Sequence, residues 1–323
     1  MTATVEQLEK LVGQEYASEP LTSQTQGWLE HPRPLTYAIG IGAKTSEKQF
    51  VYELDPSFAA FPTYPVSLFL KGADQDVVNF SERVEGNNTI KGLPNFDPRR
   101  VVHASQTIEI LKPLPLVTGA GWRLKKRLAS IRENNSGVII ENEFTLVDPN
   151  DTPYARLFSA SFNLAGKITG KRFARSVTSP PQHESIPKNR SPDWVVREQT
   201  SPEQALIYRL SGDYNPLHVD PRVGADAGFG GVILHGLSTF GFAARAILNA
   251  VGGGQPSALR YFGGRFTAPV APGDELETSA WAIKKNAVDS TTEVAFEVKN
   301  LRTGKVVFGG GFARVVKAER SRL

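Results

Sequence analysis

The stretch Gly230-Gly-Val-Ile-Leu-His235-Gly236-Leu-Ser-Thr-Phe240-Gly-Phe-Ala-Ala-Arg245-Ala-Ile-Leu-Asn249 reads as the start and body of one buried helix. Leu237, Phe240, Ala244, Ile247, Leu248 and Val251 recur at helical spacing, so the helix begins near His235 or Gly236. Both flanking stretches are apolar, which argues for a helix wrapped by other elements and not laid on a surface. Gly236 in its first turn leaves a backbone N–H at the positive end of the helix dipole, with no side chain to block a ligand. A carbonyl oxygen gaining negative charge would be held there. His235 reads as a helix-start residue packed beside that point, outside the chemistry.

Upstream lies Tyr208-Arg-Leu-Ser-Gly-Asp213-Tyr214-Asn215-Pro216-Leu217-His218, which sets a carboxylate, an amide and an imidazole within six positions. Gly212 and Pro216 interrupt it, so no ordinary helix or strand runs through. A bent loop would turn the three polar side chains to one point. Asp213 and His218 then make an acid/base pair, and Asn215 can donate and accept hydrogen bonds to a water. Residue types alone leave a second reading open, a turn whose Asp and Asn bond their own backbone.

Composition narrows the class. The chain has 323 residues, 40% of them hydrophobic, enough for two average domains or one fused pair of units. No run of 18 apolar residues exists to span a membrane. The N-terminal segment Met1-Thr-Ala-Thr-Val-Glu-Gln-Leu-Glu-Lys is acidic and lacks the apolar core of a secretory signal. Zero cysteines removes disulfides, thiolate catalysis and most zinc sites. The net charge of +4 is scattered, apart from Arg123-Leu-Lys125-Lys-Arg127. On a strand, residues 123, 125 and 127 share one face, either solvated or available to phosphates. No basic stripe carries interleaved aromatics, so nucleic acid is not expected.

Taken together, Ser-Gly-Asp213-Tyr-Asn215-Pro-Leu-His218 and Ile-Leu-His-Gly236-Leu resemble the signature of the hydratase 2, or MaoC-like, enoyl-CoA hydratases. The likeness extends through Tyr37-Ala-Ile-Gly-Ile-Gly-Ala43, Phe61-Pro-Thr-Tyr-Pro-Val-Ser67, Lys112-Pro-Leu-Pro115 and Arg265-Phe-Thr-Ala-Pro269, roughly positions 30 to 315. It is similar to the hydratase 2 unit of peroxisomal multifunctional enzymes. The resemblance implies the hot-dog fold, a long helix wrapped by an antiparallel sheet.

Two halves of the chain follow one plan. Residues 107–116 and 265–273 are each followed by three strand-like stretches, about 120–131, 137–147 and 154–165, then 275–285, 290–300 and 305–316. Asp148-Pro-Asn-Asp-Thr-Pro153 and Asn300-Leu-Arg-Thr-Gly304 carry hairpin signals between them. The expected fold is α+β, a double hot dog. An N-terminal repeat spans 1–165, a Lys/Arg/Ser/Pro-rich linker 166–193, and a C-terminal catalytic repeat 194–323. The first half has glycines at 40 and 42 where the second has its acid/base loop, but no Asp, Asn or His. A third dinucleotide-fingerprint glycine would fall at Thr45, so that motif fails. Its helix, near Thr63 to Lys71, is short and carries Pro62 and Pro65, leaving room for an acyl tail.

The resemblance further implies reversible hydration of trans-2-enoyl-CoA to the (3R)-3-hydroxyacyl thioester, with Asp213, His218, Asn215 and Gly236 as the catalytic set. His103 and Ala104 fall on a substrate-contacting His-Gly pair, with Ala in place of Gly. Asn134 falls where relatives can carry a lysine. Phe266 matches a contact on the strand after the helix, or is a plain core aromatic. Tyr214, Pro216 and Leu217 of the motif join the substrate-binding set. No metal is implied, and no cofactor beyond the coenzyme A of the substrate. Ser321-Arg322-Leu323 looks like a peroxisomal address, implying the import receptor as a partner and the peroxisome as location. A fused pair permits a monomer or a homodimer. Two alternatives from other classes are an acyl-CoA thioesterase and a non-catalytic acyl-binding module. The thioesterase loop pattern is absent, and a binding module would be expected to lose Asp213 or His218.

Overall fold

This computed structural model describes residues 4–20, 33–71, 90, 92–94, 96–97, 100–116, 118–170 and 172–317. The proposed targeting tripeptide, Ser321 to Leu323, lies outside them. The short helices are α1 (Val5–Leu11), α2 (Arg33–Gly40), α3 (Lys48–Val51), α4 (Leu68–Lys71), α5 (Gln204–Tyr208) and α6 (Pro221–Asp226), and the long one is α7 (Gly236–Gly252). The strands are β1 (Glu15–Pro20), β2 (Val101–Ile110), β3 (Arg123–Asn134), β4 (Gly137–Val147), β5 (Pro153–Leu164) and β6 (Phe173–Ser176). They continue as β7 (Trp194–Gln199), β8 (Leu259–Phe266), β9 (Glu275–Asn286), β10 (Thr291–Asn300) and β11 (Val306–Val316).

All eleven strands form one antiparallel sheet, ordered β1-β3-β4-β5-β2-β8-β11-β10-β9-β7, with β6 also on β3. Read outward from the middle, β2-β5-β4-β3 and β8-β11-β10-β9 are the same plan twice. The halves join where Ser105 to Glu109 of β2 pair with Arg265 to Tyr261 of β8. The fold is the double hot dog. The hairpins turn where their Asx residues predict: Asp148 Oδ1 accepts from the Asn150 and Thr152 amides, and Asn300 Oδ1 from those of Arg302 and Thr303. Along β10, Val294, Phe296 and Val298 enter the core while Glu293, Glu297 and Lys299 point away, the expected alternation.

The expected linker is not bare. Phe173 to Ser176 add a strand to β3, with Phe173 buried, and Glu133 receives hydrogen bonds from the Ile168, Thr169 and Gly170 amides and the Thr169 hydroxyl. Burial pushes the Glu133 carboxyl up, but these bonds outweigh it and hold it below the usual range. A buried acceptor with that many donors pins the segment. The basic face of β3 is likewise occupied: Arg123 and Lys125 pair with Asp151, and Arg127 with Glu143. Its Arg123 end pairs through Val147 to Pro153, the opposite end of the sheet from His103.

Helix α7 packs on β2, β7, β8, β9 and β11, so strands of both repeats cover it. It is buried nearly all round, Ser238, Thr239 and Arg245 included. The first repeat supplies the rest of its wrapping through the glycine-rich segment after α2. A Cβ on Gly241 would sit 2.1 Å from Ile41 Cγ2, and one on Gly42, where φ is +81°, 2.3 Å from Phe242 Cε1. Those glycines serve close approach. The carbonyl at the α2 terminus finds donors on α7 and α5: Gly40 O accepts from Ser238 Oγ at 2.8 Å and from Gln204 Nε2 at 2.9 Å. Arg245 then crosses between the repeats, donating to Glu47 Oε2 at 2.8 Å and pairing with Glu198. The first-repeat helix is a 3-10 turn, Tyr64–Ser67, running into four-residue α4, as its two prolines predict.

Two outcomes follow from this packing. Gly241→Ala gains about 1 kcal/mol of helix propensity, yet the Ile41 clash should leave it a net ~1–3 kcal/mol less stable in urea unfolding. Ile41→Ala in the same chain should recover part of the loss, whereas additive effects would refute the contact. Arg245→Met should cost about 3–5 kcal/mol because Glu47 and Glu198 lose their shared counter-charge, the Lys44 amide and Asn249 Nδ2 remaining as neutral donors to Glu47; an unchanged urea midpoint would contradict it.

Candidate active site

The acid/base loop begins where α5 ends. Arg209 to Ser211 make a 3-10 turn, and Gly212 reverses the chain at φ +122°, a conformation closed to ordinary side chains. Asn215 then caps a second 3-10 turn, Pro216–His218, its Oδ1 accepting the Leu217 amide at 3.0 Å. The turn reading is therefore real as well, and the Asn215 carbonyl oxygen is committed to the backbone. Its Nδ2 donors remain for a ligand. Asp213 Oδ1 accepts weakly from the Asn215 amide at 3.3 Å.

Folding brings the key groups together. Polar atoms of Asp213, His218 and His235 lie within 4.8 Å of one another. His218 is buried, and its Nδ1 donates to the Ile233 carbonyl at 2.9 Å. A carbonyl only accepts, so Nδ1 carries the hydrogen and Nε2 presents a lone pair. The His235 ring stacks on His218 at 3.7 Å between centroids and 27° between planes. A shared metal ion fits this pair poorly, because it would have to lie in the plane of both rings.

The helix start completes the wall. Gly236 is the first residue of α7, so its N–H has no partner one turn earlier. The space its Cβ would fill is 3.2 Å from Phe266 Cε1, and the Phe266 ring is 4.8 Å from that of His103. Strand β2 thus carries a first-repeat histidine to the second-repeat helix end. Ser159 Oγ is 3.1 Å from His103 Nε2. Burial pushes His103 down to about 4, with the nearby Asp213 charge pulling the other way. Burial also pushes the Tyr208 hydroxyl well above its ordinary value, and Asp213 adds to it.

The remaining expected residues separate. Ala104 is the extra residue of a β-bulge, where the β2–β5 register slips between His103 and Ser105. Bulges re-aim neighbouring side chains, and His103 is the neighbour here. Tyr214 is buried, with the Arg209 guanidinium 4.9 Å above its ring. Pro216 is exposed and Leu217 half-buried. Asn134 is not brought to the site. It lies three strands from β2 at the same sheet end, and its Oδ1 accepts the Ser136 and Gly137 amides of its own hairpin. His235 lies at the helix start beside the site, as its place one residue before the helix-start glycine predicts.

The chain is similar to known proteins. Residues 184–303 match the MaoC like domain, and residues 30–162 match the MFE-2 hydratase 2 N-terminal domain. A probable enoyl-CoA hydratase 2 of Dictyostelium discoideum is 33% identical over 89% of this chain and 91% of its own. The peroxisomal multifunctional enzyme type 2 of Drosophila melanogaster is 33% identical over 90% of this chain, which spans 46% of that longer protein. The crystal structure of a MaoC-like dehydratase from Phytophthora capsici superposes with a TM-score of 0.82 at 34% identity, covering 99% of this chain and all of that one. The chain belongs to the MaoC-like hydratase–dehydratase family, with the hydratase 2 N-terminal unit fused to the MaoC-like unit, and is a hydro-lyase.

Proposed function

We propose that this enzyme adds water across the 2,3 double bond of a trans-2-enoyl-CoA to give the (3R)-3-hydroxyacyl-CoA, and runs the reverse dehydration. One observation supports the reading: a ring nitrogen of His218 and the Asp213 carboxylate lie within 4.8 Å of each other, and His235, stacked on His218, directly precedes the first residue of α7. The Gly236 N–H holds the thioester oxygen as enolate charge develops on it. Asp213 and His218 grip the water, with the Asn215 Nδ2 as a third contact. As the water oxygen bonds to C3, the pair takes its proton and returns one to C2. His103 and Phe266 border the thioester, and the R configuration rests on the family likeness.

No step needs a resident cofactor or metal. The coenzyme A phosphates have no partner in the Arg123–Arg127 cluster, which is committed to ion pairs at the far sheet end. The acyl tail extends toward the first repeat, where the short α4 replaces a long helix. Ser321-Arg322-Leu323 directs the enzyme to the peroxisome through the import receptor, in keeping with the peroxisomal name of the Drosophila relative.

Asp213→Asn and His218→Gln each keep the side-chain size and remove one proton-transfer group. Each should lower kcat by about 10²–10⁴-fold while urea unfolding stays near the parent's. Variants that hydrate trans-2-enoyl-CoA at the parent rate would remove both residues from the chemistry.

A further inference from the structure

His235 touches both members of the acid/base pair from behind. Its ring is 1% exposed and lies between the Tyr208 ring, 5.0 Å away, and the His218 ring, 3.7 Å away. Its Nε2 is 3.1 Å from the backbone carbonyl of Asp213, while its Nδ1 is buried without a hydrogen-bond partner among the described residues. These contacts select one tautomer. The carbonyl demands a donor, so Nε2 carries the hydrogen and Nδ1 a bare lone pair. The opposite tautomer would set a lone pair against the carbonyl and bury an unsatisfied N–H.

We propose that His235 is a positioning residue: as the neutral Nε2–H tautomer it tethers the Asp213 peptide and backs the His218 ring, so that carboxylate and imidazole meet the same water. This rests on the roles given above to Asp213 and His218. Neutrality matters as much as geometry. His218 becomes cationic when it takes a proton, and a second imidazolium stacked on it would oppose that step. The titratable and charged groups around His235 are His218, Asp213, Arg209 and Tyr208. Burial, with the His218 ring alongside, pushes His235 down to about 3 against the opposing pull of Asp213. The same tether explains why Gly236 must follow directly: the residue that fixes Asp213 also starts the helix whose N–H faces the substrate.

The tautomer can be read in the unaltered protein by ¹⁵N NMR of histidine-labelled chain, with the His235 signals identified by their loss in His235→Gln. An Nε2–H pattern unchanged from pH 8 to pH 5 is expected. An Nδ1–H pattern, or a titration near the ordinary histidine value, overturns the proposal. Kinetics supply a second arm. The glutamine amide reaches the place of Nε2, while that of His235→Asn stops near Nδ1. His235→Gln should keep kcat within about tenfold, and His235→Asn should lose about 10²-fold or more with KM nearly unchanged, the size expected for a misplaced catalytic group. Equal kcat in the two variants also overturns it. A failure of the underlying site reading shows separately, as undiminished turnover in Asp213→Asn and His218→Gln.

Discussion

A helix that is apolar on most of its surface is stable in water only if something encloses it, and that requirement organises this molecule. Helix α7 is buried along nearly its whole length. One five-strand repeat cannot cover it alone, so strands of the second repeat, strand β2 and the segment after α2 share the work. The contact is close because it is made at glycine: Ile41 fills the place of a Gly241 side chain, and Phe242 the place of one at Gly42. Burial of this kind is worth roughly 25 cal/mol per Å² of apolar surface. The N-terminus of the helix is therefore fixed relative to both repeats.

That fixation accounts for a duplicated unit without an acid/base loop of its own. The first repeat covers α7, and through β2 it delivers His103 to the ring of Phe266 beside Gly236. The second repeat contributes Asp213, Asn215, His218 and His235. Histidines here are held by backbone carbonyls, His218 by Ile233 and His235 by Asp213, so their tautomers are set by the main chain. Main-chain acceptors move little, which suits groups that must stay aligned through proton transfer. Burial also holds the histidines at 103 and 235 well below the ordinary range, which fits the proposal that Asp213 and His218 are the pair that moves protons.

Much of this was legible in the sequence, for physical reasons. The α7 pattern, the strand alternation in β10 and the Asx turns are local properties, and local rules read them well. The glycine and proline that bend the acid/base loop were equally visible. What escaped was non-local. Thr45 already ruled out a dinucleotide loop at glycines 40 and 42, but the reason for those glycines showed only once their neighbours Tyr208 and Phe242 were in place. The linker carried no strand signal strong enough to reveal Phe173 to Ser176, because β6 exists only as an addition to β3. Asn134 looked like a ligand contact by alignment of position, but a hairpin claims its side chain. The place of His235 at the helix start was legible, but not its bond to a carbonyl 22 residues upstream.

The central claim is that three polar side chains and one helix-end amide act on a single enoyl thioester. Its most direct test is the reaction of trans-2-decenoyl-CoA with the enzyme in D₂O, read by mass spectrometry and chiral analysis. The account predicts 3-hydroxydecanoyl-CoA with one deuterium at C2, the R configuration at C3 and no free coenzyme A. Release of the thiol without a new C3–O bond, or an S product, would contradict it.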